Sequence, residues 1–233
     1  MKTKLLRATL ILTLVIGIGP CLLHGEAEKH WWKFDEAKGI IAKDSIGKVN
    51  GILNGNAAFL GPEKGVHINK NKDSYVSFDR SVGQFGTNDF SVFLEFKTKE
   101  TLSLYSVVGN RFSTRYGNYF CIHMVGQNDP FGEQGTVTVE LCENPDGKNY
   151  FPLNSTRSRL NDGNWHSLKV VRKRKEISLY IDHVLDSKIT TPRITNIRGE
   201  HEFRLGQSLN PKLAIGEFTP DATYKNLKIE IKR

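Results

Sequence analysis

The chain has 233 residues, of which 38% are apolar and 25% charged, and its 33 basic and 25 acidic side chains give a formal net charge of +8. This length and balance can bury a hydrophobic core, and they exclude a disordered tail, a collagen and a small disulfide-rich protein. The excess of positive charge raises nucleic-acid binding as a function to test, and that test depends on where the charges lie.

The first 25 residues have the pattern of a cleavable secretory signal peptide. Lys2, Lys4 and Arg7 form a basic start without acidic residues, and an apolar run follows from Leu10 to Gly19. Ten apolar residues are too few to cross a bilayer comfortably, which favours a cleavable signal over the alternative of a retained membrane helix.

The remaining chain, residues 26–233, has the length of a single domain and contains no second apolar run of membrane length. Removal of the signal peptide would take away three basic groups and no acidic ones, so that the net charge falls from +8 to +5. We therefore expect a secreted protein, extracellular or, in a bacterium, periplasmic or at the cell surface.

From residue 31 onwards, short strands separated by turns account for the pattern of apolar residues. Turn-forming residues such as Gly61-Pro62, Asn144–Gly147 and Asn161–Gly163 lie between them. The apolar sets spaced two residues apart are, in chain order, Val76 and Phe78; Phe90, Val92, Leu94 and Phe96; Phe120, Ile122 and Met124; Val137, Val139 and Leu141; Leu168 and Val170; Ile177, Leu179 and Ile181; Phe203 and Leu205; and Leu227, Ile229 and Ile231. Many short strands without intervening helices predict an all-β antiparallel sandwich.

The segment Asn161–Val170, with the sequence NDGNWHSLKV, resembles the hallmark of laminin G-like domains. The segments Phe203–Gly206 and Tyr224–Ile229 are similar to the closing strands of that family, and the resemblance covers about residues 30–233. It implies a concanavalin A-like jelly roll, of the bacterial type of laminin G-like domain. At the hallmark we expect Trp165 to fill the core and His166 to face the opposite side of the sheet.

The same resemblance implies a calcium ion at one rim of the sandwich. The family uses an aspartate directly before the strand that matches Tyr119-Phe120, and Asn118 stands there in this chain. A second calcium site, by analogy with the bacterial domains, would use Asp44 and Asn50. Asx side chains also form turns without any metal, which is the alternative for all three.

Two cysteines, Cys121 and Cys142, remain after the signal peptide. If Ile122 pairs with Leu141 in a hairpin, Cys121 lies directly opposite Cys142, which predicts a cross-strand disulfide in an oxidising compartment. Two free thiols are the alternative. No Cys-x-x-Cys motif and no close set of cysteines and histidines accompanies these two residues, so zinc is not expected.

The densest basic run consists of Lys169, Arg172, Lys173, Arg174 and Lys175. It predicts either a solvated hairpin turn or a patch that binds an anionic polysaccharide. Export and the lack of interleaved aromatic and basic residues disfavour nucleic acid as a partner. Asn154 begins a glycosylation sequon, which matters only in a eukaryotic source.

No catalytic motif is present. The glutamate pairs Glu95 with Glu100 and Glu140 with Glu143 lack the middle aspartate of the Glu-x-Asp-x-(x)-Glu strand typical of glucanases on this fold. We therefore expect a non-catalytic binding module for carbohydrate or an extracellular protein. The alternatives are an adhesion or envelope-structural protein and, less favoured, a glycoside hydrolase. The candidate rim residues for the ligand, besides Asn118, are Tyr116, Asn144, Asp146, Asn149, Tyr150 and Asn210.

Overall fold

A computed structural model describes residues 27–70, 73–101, 104–112, 116–127, 132–207 and 219–232. The predicted signal peptide and Asn210 lie outside the described residues. Within these ranges, no helix is long and apolar enough to cross a membrane.

All regular elements of the described chain are β-strands, numbered here in chain order. They form two eight-stranded sheets, and every strand pairing is antiparallel. The first sheet runs in the order β14 (Val184–Thr190), β13 (Glu176–Ile181), β12 (His166–Lys173), β7 (Asp89–Thr98), β16 (Ala222–Lys232), β5 (Val66–Ile68) and β4 (Ala58–Phe59), with β1 (Glu28–Trp32) also paired to β16. The second sheet runs in the order β11 (Tyr150–Asn154), β10 (Val137–Cys142), β9 (Tyr119–Val125), β8 (Leu104–Gly109), β15 (Phe203–Leu205), β6 (Tyr75–Phe78), β3 (Gly51–Asn54) and β2 (Ile41–Ala42).

The core lies between the two sheets, and every apolar set that the alternation predicted is buried in it. Because side chains alternate between the faces of a strand, the even-numbered residues of β7, β9 and β12 point inward together. Aromatic rings join the sheets: Phe85 stacks on Phe90 at 4.0 Å and meets Phe120 edge-on at 5.3 Å. The predicted all-β sandwich is confirmed.

At the hallmark segment, the expected roles of Trp165 and His166 are reversed. Trp165 is 37% exposed, with the Lys225 ammonium group 4.4 Å from the centre of its ring. His166 is buried at the start of β12, and its ring nitrogens lie 3.0 Å from an Asp182 carboxylate oxygen and 3.2 Å from one of Asp162. The histidine lies inside because these two carboxylates satisfy both of its nitrogens.

The predicted disulfide is wrong, because the hairpin of β9 and β10 has a different register. Ile122 pairs with Val139 and not with Leu141, so Cys121 lies opposite Glu140, and Cys142 lies opposite Tyr119. The two cysteines are thus offset by two residues, and both are free, buried thiols. A slip of two residues keeps the same side chains on each face, which is why alternation alone did not reveal it.

Candidate functional site

A closed polar cluster lies on the side of the second sheet that faces away from the core. It consists of Cys121 and His123 on β9, Glu140 on β10, Tyr150 on β11, and Arg111 just after β8. The strand neighbours Phe120, Ile122 and Leu141 point into the core, so alternation places the polar residues of β9 and β10 on the outer face.

The cluster is held together by short polar contacts. The Sγ atom of Cys121 lies 2.6 Å from Nε2 of His123 and 3.5 Å from Oε2 of Glu140. The Arg111 guanidinium donates to the same Oε2 at 2.6 Å, and the Tyr150 hydroxyl donates to Oε1 at 2.6 Å. Cys121, His123 and Glu140 are exposed by no more than 6%, an unusual state for polar groups on an outer face.

Burial and charge act on this cluster in opposite directions. Burial alone would raise the pKa of Glu140, but the charges of His123 and Arg111 outweigh it and hold that pKa below its ordinary value. Burial raises the pKa of the Cys121 thiol well above its ordinary value, and the Glu140 carboxylate adds to the rise. The carboxylate is therefore ionised at neutral pH, and the thiol is protonated in the absence of a further cation.

A second feature, the rim cleft, opens at the end of the same sheet. It has a volume of about 480 Å³, and its lining includes Phe112, Tyr116, Asn118, Arg198 and His201. Phe112 and His201 stack with ring centres 4.3 Å apart. The Asn118 side chain accepts from the Arg198 backbone N–H at 2.6 Å, which fixes one wall of the cleft.

The β10–β11 loop forms the edge of the rim cleft. Tyr150 at its end packs against Tyr116, with ring centres 5.1 Å apart. Gly147 has a φ of +71°, and a Cβ atom there would lie 2.7 Å from the Tyr116 ring, so a glycine is required for this close approach. The loop also contains three predicted rim residues, Asn144, Asp146 and Asn149.

The structure thus brings most predicted rim residues to one end of the sandwich. Tyr116 is 47% exposed and offers its ring to solvent, whereas the hydroxyl of Tyr150 is already bound to Glu140. Sequence reasoning missed Phe112, Arg198 and His201, because these residues come from segments distant in sequence and carry no motif.

The residues predicted to bind calcium have protein partners. Asp44 accepts from the backbone N–H groups of Trp31 at 3.0 Å and Gly47 at 2.9 Å, and its other oxygen lies 2.6 Å from His30 Nδ1. The side-chain oxygen of Asn50 accepts from the Asp44 N–H at 3.1 Å. These donors use the oxygens that a calcium ion needs, which fits the turn-forming alternative; calcium binding stays a prediction.

A third feature, the basic groove, lies on the outer face of the first sheet beside the β12–β13 turn. It has a volume of about 450 Å³, and its lining includes Lys169, Lys173, Tyr180, His183 and Lys232. Four of the five predicted basic residues, all except Arg172, are exposed at or near this groove: Lys169, Lys173, Arg174 and Lys175.

Arg172 does not belong to the basic patch, which corrects the prediction. Its guanidinium is 1% exposed and donates to the backbone carbonyls of Gly86 at 2.7 Å and Thr195 at 2.8 Å. It also lies over the Phe90 ring at 4.7 Å. Burial lowers the pKa of Arg172 to about 10, so the group stays charged at neutral pH. Arg172 faces inward because it continues the core-facing alternation of Leu168 and Val170.

Comparison with known proteins shows the fold class and a family to which part of the chain is similar. The chain is an all-β sandwich of the concanavalin A-like class, because its two antiparallel sheets superpose on solved structures of that architecture. The family model described as Laminin G domain matches residues 134–227, from the beginning of β10 into β16. Residues 134–227 are therefore similar to laminin G domains, as the hallmark segment predicted.

Among solved structures, the binding domain of botulinum neurotoxin serotype D/C superposes with a TM-score of 0.61 and 11% sequence identity. The match covers 86% of this chain and 47% of that one. A sialidase from Trypanosoma rangeli gives a TM-score of 0.57 at 13% identity, covering 86% of this chain and 30% of the sialidase. This chain thus spans less than half the length of either protein. No curated protein sequence matches it.

Proposed function

We propose that the chain is an exported, non-catalytic binding module whose rim cleft recognises a carbohydrate. The observation that carries the proposal is the rim cleft itself, where the half-exposed ring of Tyr116 stands beside polar side chains on a rigid sheet end. Ligand sites combine apolar or aromatic surface with a few placed polar groups, and this cleft has both.

The polar groups of the cleft suit sugar hydroxyl or carboxylate groups. The guanidinium of Arg198 is exposed and has no ion pair within the described residues, whereas Glu143 on the same lining is paired with Arg193 at 2.9 Å. The cleft therefore offers an exposed guanidinium next to an aromatic surface, and the Glu200 carboxylate on the same lining can accept hydrogen bonds from sugar hydroxyl groups.

One structural neighbour and the positions of the glutamates support binding rather than catalysis. The neurotoxin structure, which shares the fold alone with this chain, is a binding domain. The glutamates considered for catalysis occupy structural positions: Glu95 is 3.7 Å from Lys225 on the first sheet, and Glu140 belongs to the closed polar cluster.

A glycan array tests the proposal most directly. We expect the unaltered protein to bind a subset of sugars and Tyr116→Ala to lose at least about tenfold in affinity, the loss typical of an anchoring side chain. Arg198→Ala should weaken the binding of acidic sugars more than the binding of neutral sugars. Trp165→Ala is the matched control, because it removes an exposed aromatic ring remote from the cleft.

Three outcomes would overturn parts of the proposal. Equal loss in Trp165→Ala would place binding on the first sheet. Absence of any glycan binding would favour the adhesion or envelope-structural alternative with a protein partner. Release of reducing ends from a bound polysaccharide would identify an enzyme.

A second candidate function is supported by the basic groove. Lys169, Lys173 and Lys232 line it together with Tyr180 and His183. Lysines near a polysaccharide displace its counterions, so binding of a sulfated glycan here should weaken steeply with salt, whereas binding in the rim cleft should depend less on salt. The double variant Lys169→Ala/Lys173→Ala should abolish binding of the sulfated glycan in the basic groove and leave binding in the rim cleft unchanged.

Export rests on the composition of residues 1–25. Expression with these residues in place, followed by N-terminal sequencing of the secreted product, should give a mature chain that begins near residue 26. Retention of the full chain in the cell would contradict export.

A further inference from the structure

We propose that Cys121, His123 and Glu140 form a binding site for a zinc-class divalent transition metal ion. The three side chains come from two paired strands, β9 and β10, and all lie on the outer face of the second sheet. Their ligand atoms lie within 4.8 Å of one another, and each of the three residues is buried. This site is separate from the rim cleft and does not depend on the proposed carbohydrate binding.

The donor set matches the preferences of zinc. Thiolate, imidazole and carboxylate are its usual protein ligands, and three of them leave a fourth position for water or another group. Softer thiolate ligands also favour zinc over calcium or magnesium, which select oxygen. Sequence reasoning excluded zinc for want of a close cysteine–histidine group; the Cys121-x-His123 pair is such a group, because a spacing of two brings side chains to one face of a strand.

The spacing of the ligand atoms is near that of a tetrahedral site. Usual metal–ligand distances place the ligand atoms about 3.4–3.6 Å apart. The contact between Cys121 Sγ and Glu140 Oε2 is 3.5 Å, and that between His123 Nε2 and the same oxygen is 3.8 Å. The Cys121 Sγ and His123 Nε2 atoms are 2.6 Å apart, so metal binding requires them to separate by about 1 Å.

The surroundings already orient the carboxylate. The Tyr150 hydroxyl occupies Oε1 of Glu140 at 2.6 Å, so that Oε2 faces Cys121 and His123. Such outer contacts are usual in metal sites and fix the ligand geometry. The Arg111 guanidinium shares Oε2, and together with one divalent ion, a thiolate and a carboxylate it leaves one net positive charge. Arg111 competes with the ion for Oε2 and should therefore lower the metal affinity.

Cobalt substitution tests the proposal on the unaltered mature chain. After removal of metals with a chelator, addition of Co²⁺ should give one equivalent of binding, with a sulfur-to-cobalt charge-transfer band and the intense visible bands of a four-coordinate ion. Zn²⁺ should then displace the cobalt and abolish both signals. Absence of the sulfur band would overturn the proposal.

Variants identify the ligands. In competition with a chromophoric chelator, Cys121→Ser and Glu140→Gln should lose more than about 100-fold in zinc affinity, and Tyr150→Phe, which removes an outer contact, about tenfold. Cys142→Ser is the matched control, because it removes the other buried thiol and should stay within about twofold of the unaltered chain. Equal loss in Cys142→Ser would assign the metal elsewhere and overturn the site.

Folding of each variant is checked by its circular dichroism spectrum and melting temperature. If Cys121→Ser does not fold, the cobalt spectrum of the unaltered chain and the zinc affinity of Tyr150→Phe still test whether the metal site exists. An unchanged affinity in Tyr150→Phe together with no sulfur band would leave the cluster as a purely structural hydrogen-bond network.

Discussion

The outer faces of the two sheets differ sharply in their exposure to solvent. On the first sheet, the outward residues Lys169 and Lys228 are exposed, and Glu95 is half-buried beside Lys225. On the second sheet, the outward residues Cys121 and Glu140 are buried. The same alternation of inward and outward side chains therefore leads to an open face on the first sheet and a closed region around β9 and β10 on the second.

This difference changes what each polar residue contributes. An exposed ion pair contributes about 0–1 kcal/mol, because water competes for both charges. A buried charge is costly to desolvate, and removal of its partner leaves an uncompensated group. Polar residues of the closed face are thus coupled to one another, while those of the open face remain available to a ligand.

The largest expected effect comes from Glu140→Ala, measured by urea unfolding of the metal-free protein. The change leaves the Arg111 guanidinium buried without its carboxylate, and we expect a loss of about 3–5 kcal/mol in the free energy of unfolding. The matched change on the first sheet, Glu95→Ala, removes a partly exposed ion pair with Lys225 and a hydrogen bond from Asn226, and should cost about 1–2 kcal/mol. Similar losses in both variants would contradict the distinction between the faces.

Arg172→Ala tests a basic residue that lies inside a run of exposed ones. Loss of its bonds to the Gly86 and Thr195 carbonyls should lower the free energy of unfolding by about 3 kcal/mol. Arg174→Ala, two residues further on, removes an exposed side chain and should change it by less than about 0.5 kcal/mol. If Arg172→Ala lowered the free energy of unfolding by less than about 0.5 kcal/mol, as expected for an exposed side chain, the structural role of Arg172 would be contradicted.

The turn around Asp44 should make stability depend on acid pH. Burial alone would raise the pKa of Asp44, but hydrogen bonds from His30 and from backbone N–H groups outweigh it and lower that pKa. A lowered pKa stabilises the fold above about pH 4, and this contribution is lost as the pH falls through the folded-state value. Asp44→Asn should remove this part of the acid transition, at a cost of about 2 kcal/mol at pH 7. If the pH dependence of the free energy of unfolding were the same in Asp44→Asn as in the unaltered chain, this role of Asp44 would be contradicted.

The smallest expected effect is that of Trp165→Ala on the open face. The ring is partly exposed and interacts with Lys225, a contact worth about 0.5–1 kcal/mol at such a site. We expect a fall of about 1 kcal/mol in thermal or urea unfolding, so the variant is usable as a binding control. A loss above about 3 kcal/mol, typical of a core tryptophan, would restore the role predicted from the sequence.

Prediction from the sequence succeeded where local patterns decide. The apolar residues at every second position of β7, β9 and β12 are in the core, and the resemblance of the NDGNWH segment to laminin G-like domains agrees with the family match over residues 134–227. It failed for His166 and Arg172, because their burial depends on partners such as Asp182 and Thr195, which no local pattern reveals.

The candidate sites depended on the tertiary structure more than the fold did. Tyr116 and Asn118 were predicted at the rim, but Arg198 and His201 reach the rim cleft only through the folding of a distant segment. The proposed metal ligands could be recognised only from the register of β9 and β10. The observed register differs from the predicted one by two residues, so each side chain stays on the same face of the sheet but lies opposite a different residue.

The sequence by itself determined the all-β class and the inward residues of the strands, because alternation and turn chemistry act within a few residues. Only the tertiary structure decided that Cys121 lies opposite Glu140 rather than Cys142, and that the outer face of the second sheet is closed around β9 and β10. Strand register and the burial of an outer face depend on contacts between segments that are distant in sequence. The free energies of these contacts cannot be read from any single segment of the chain.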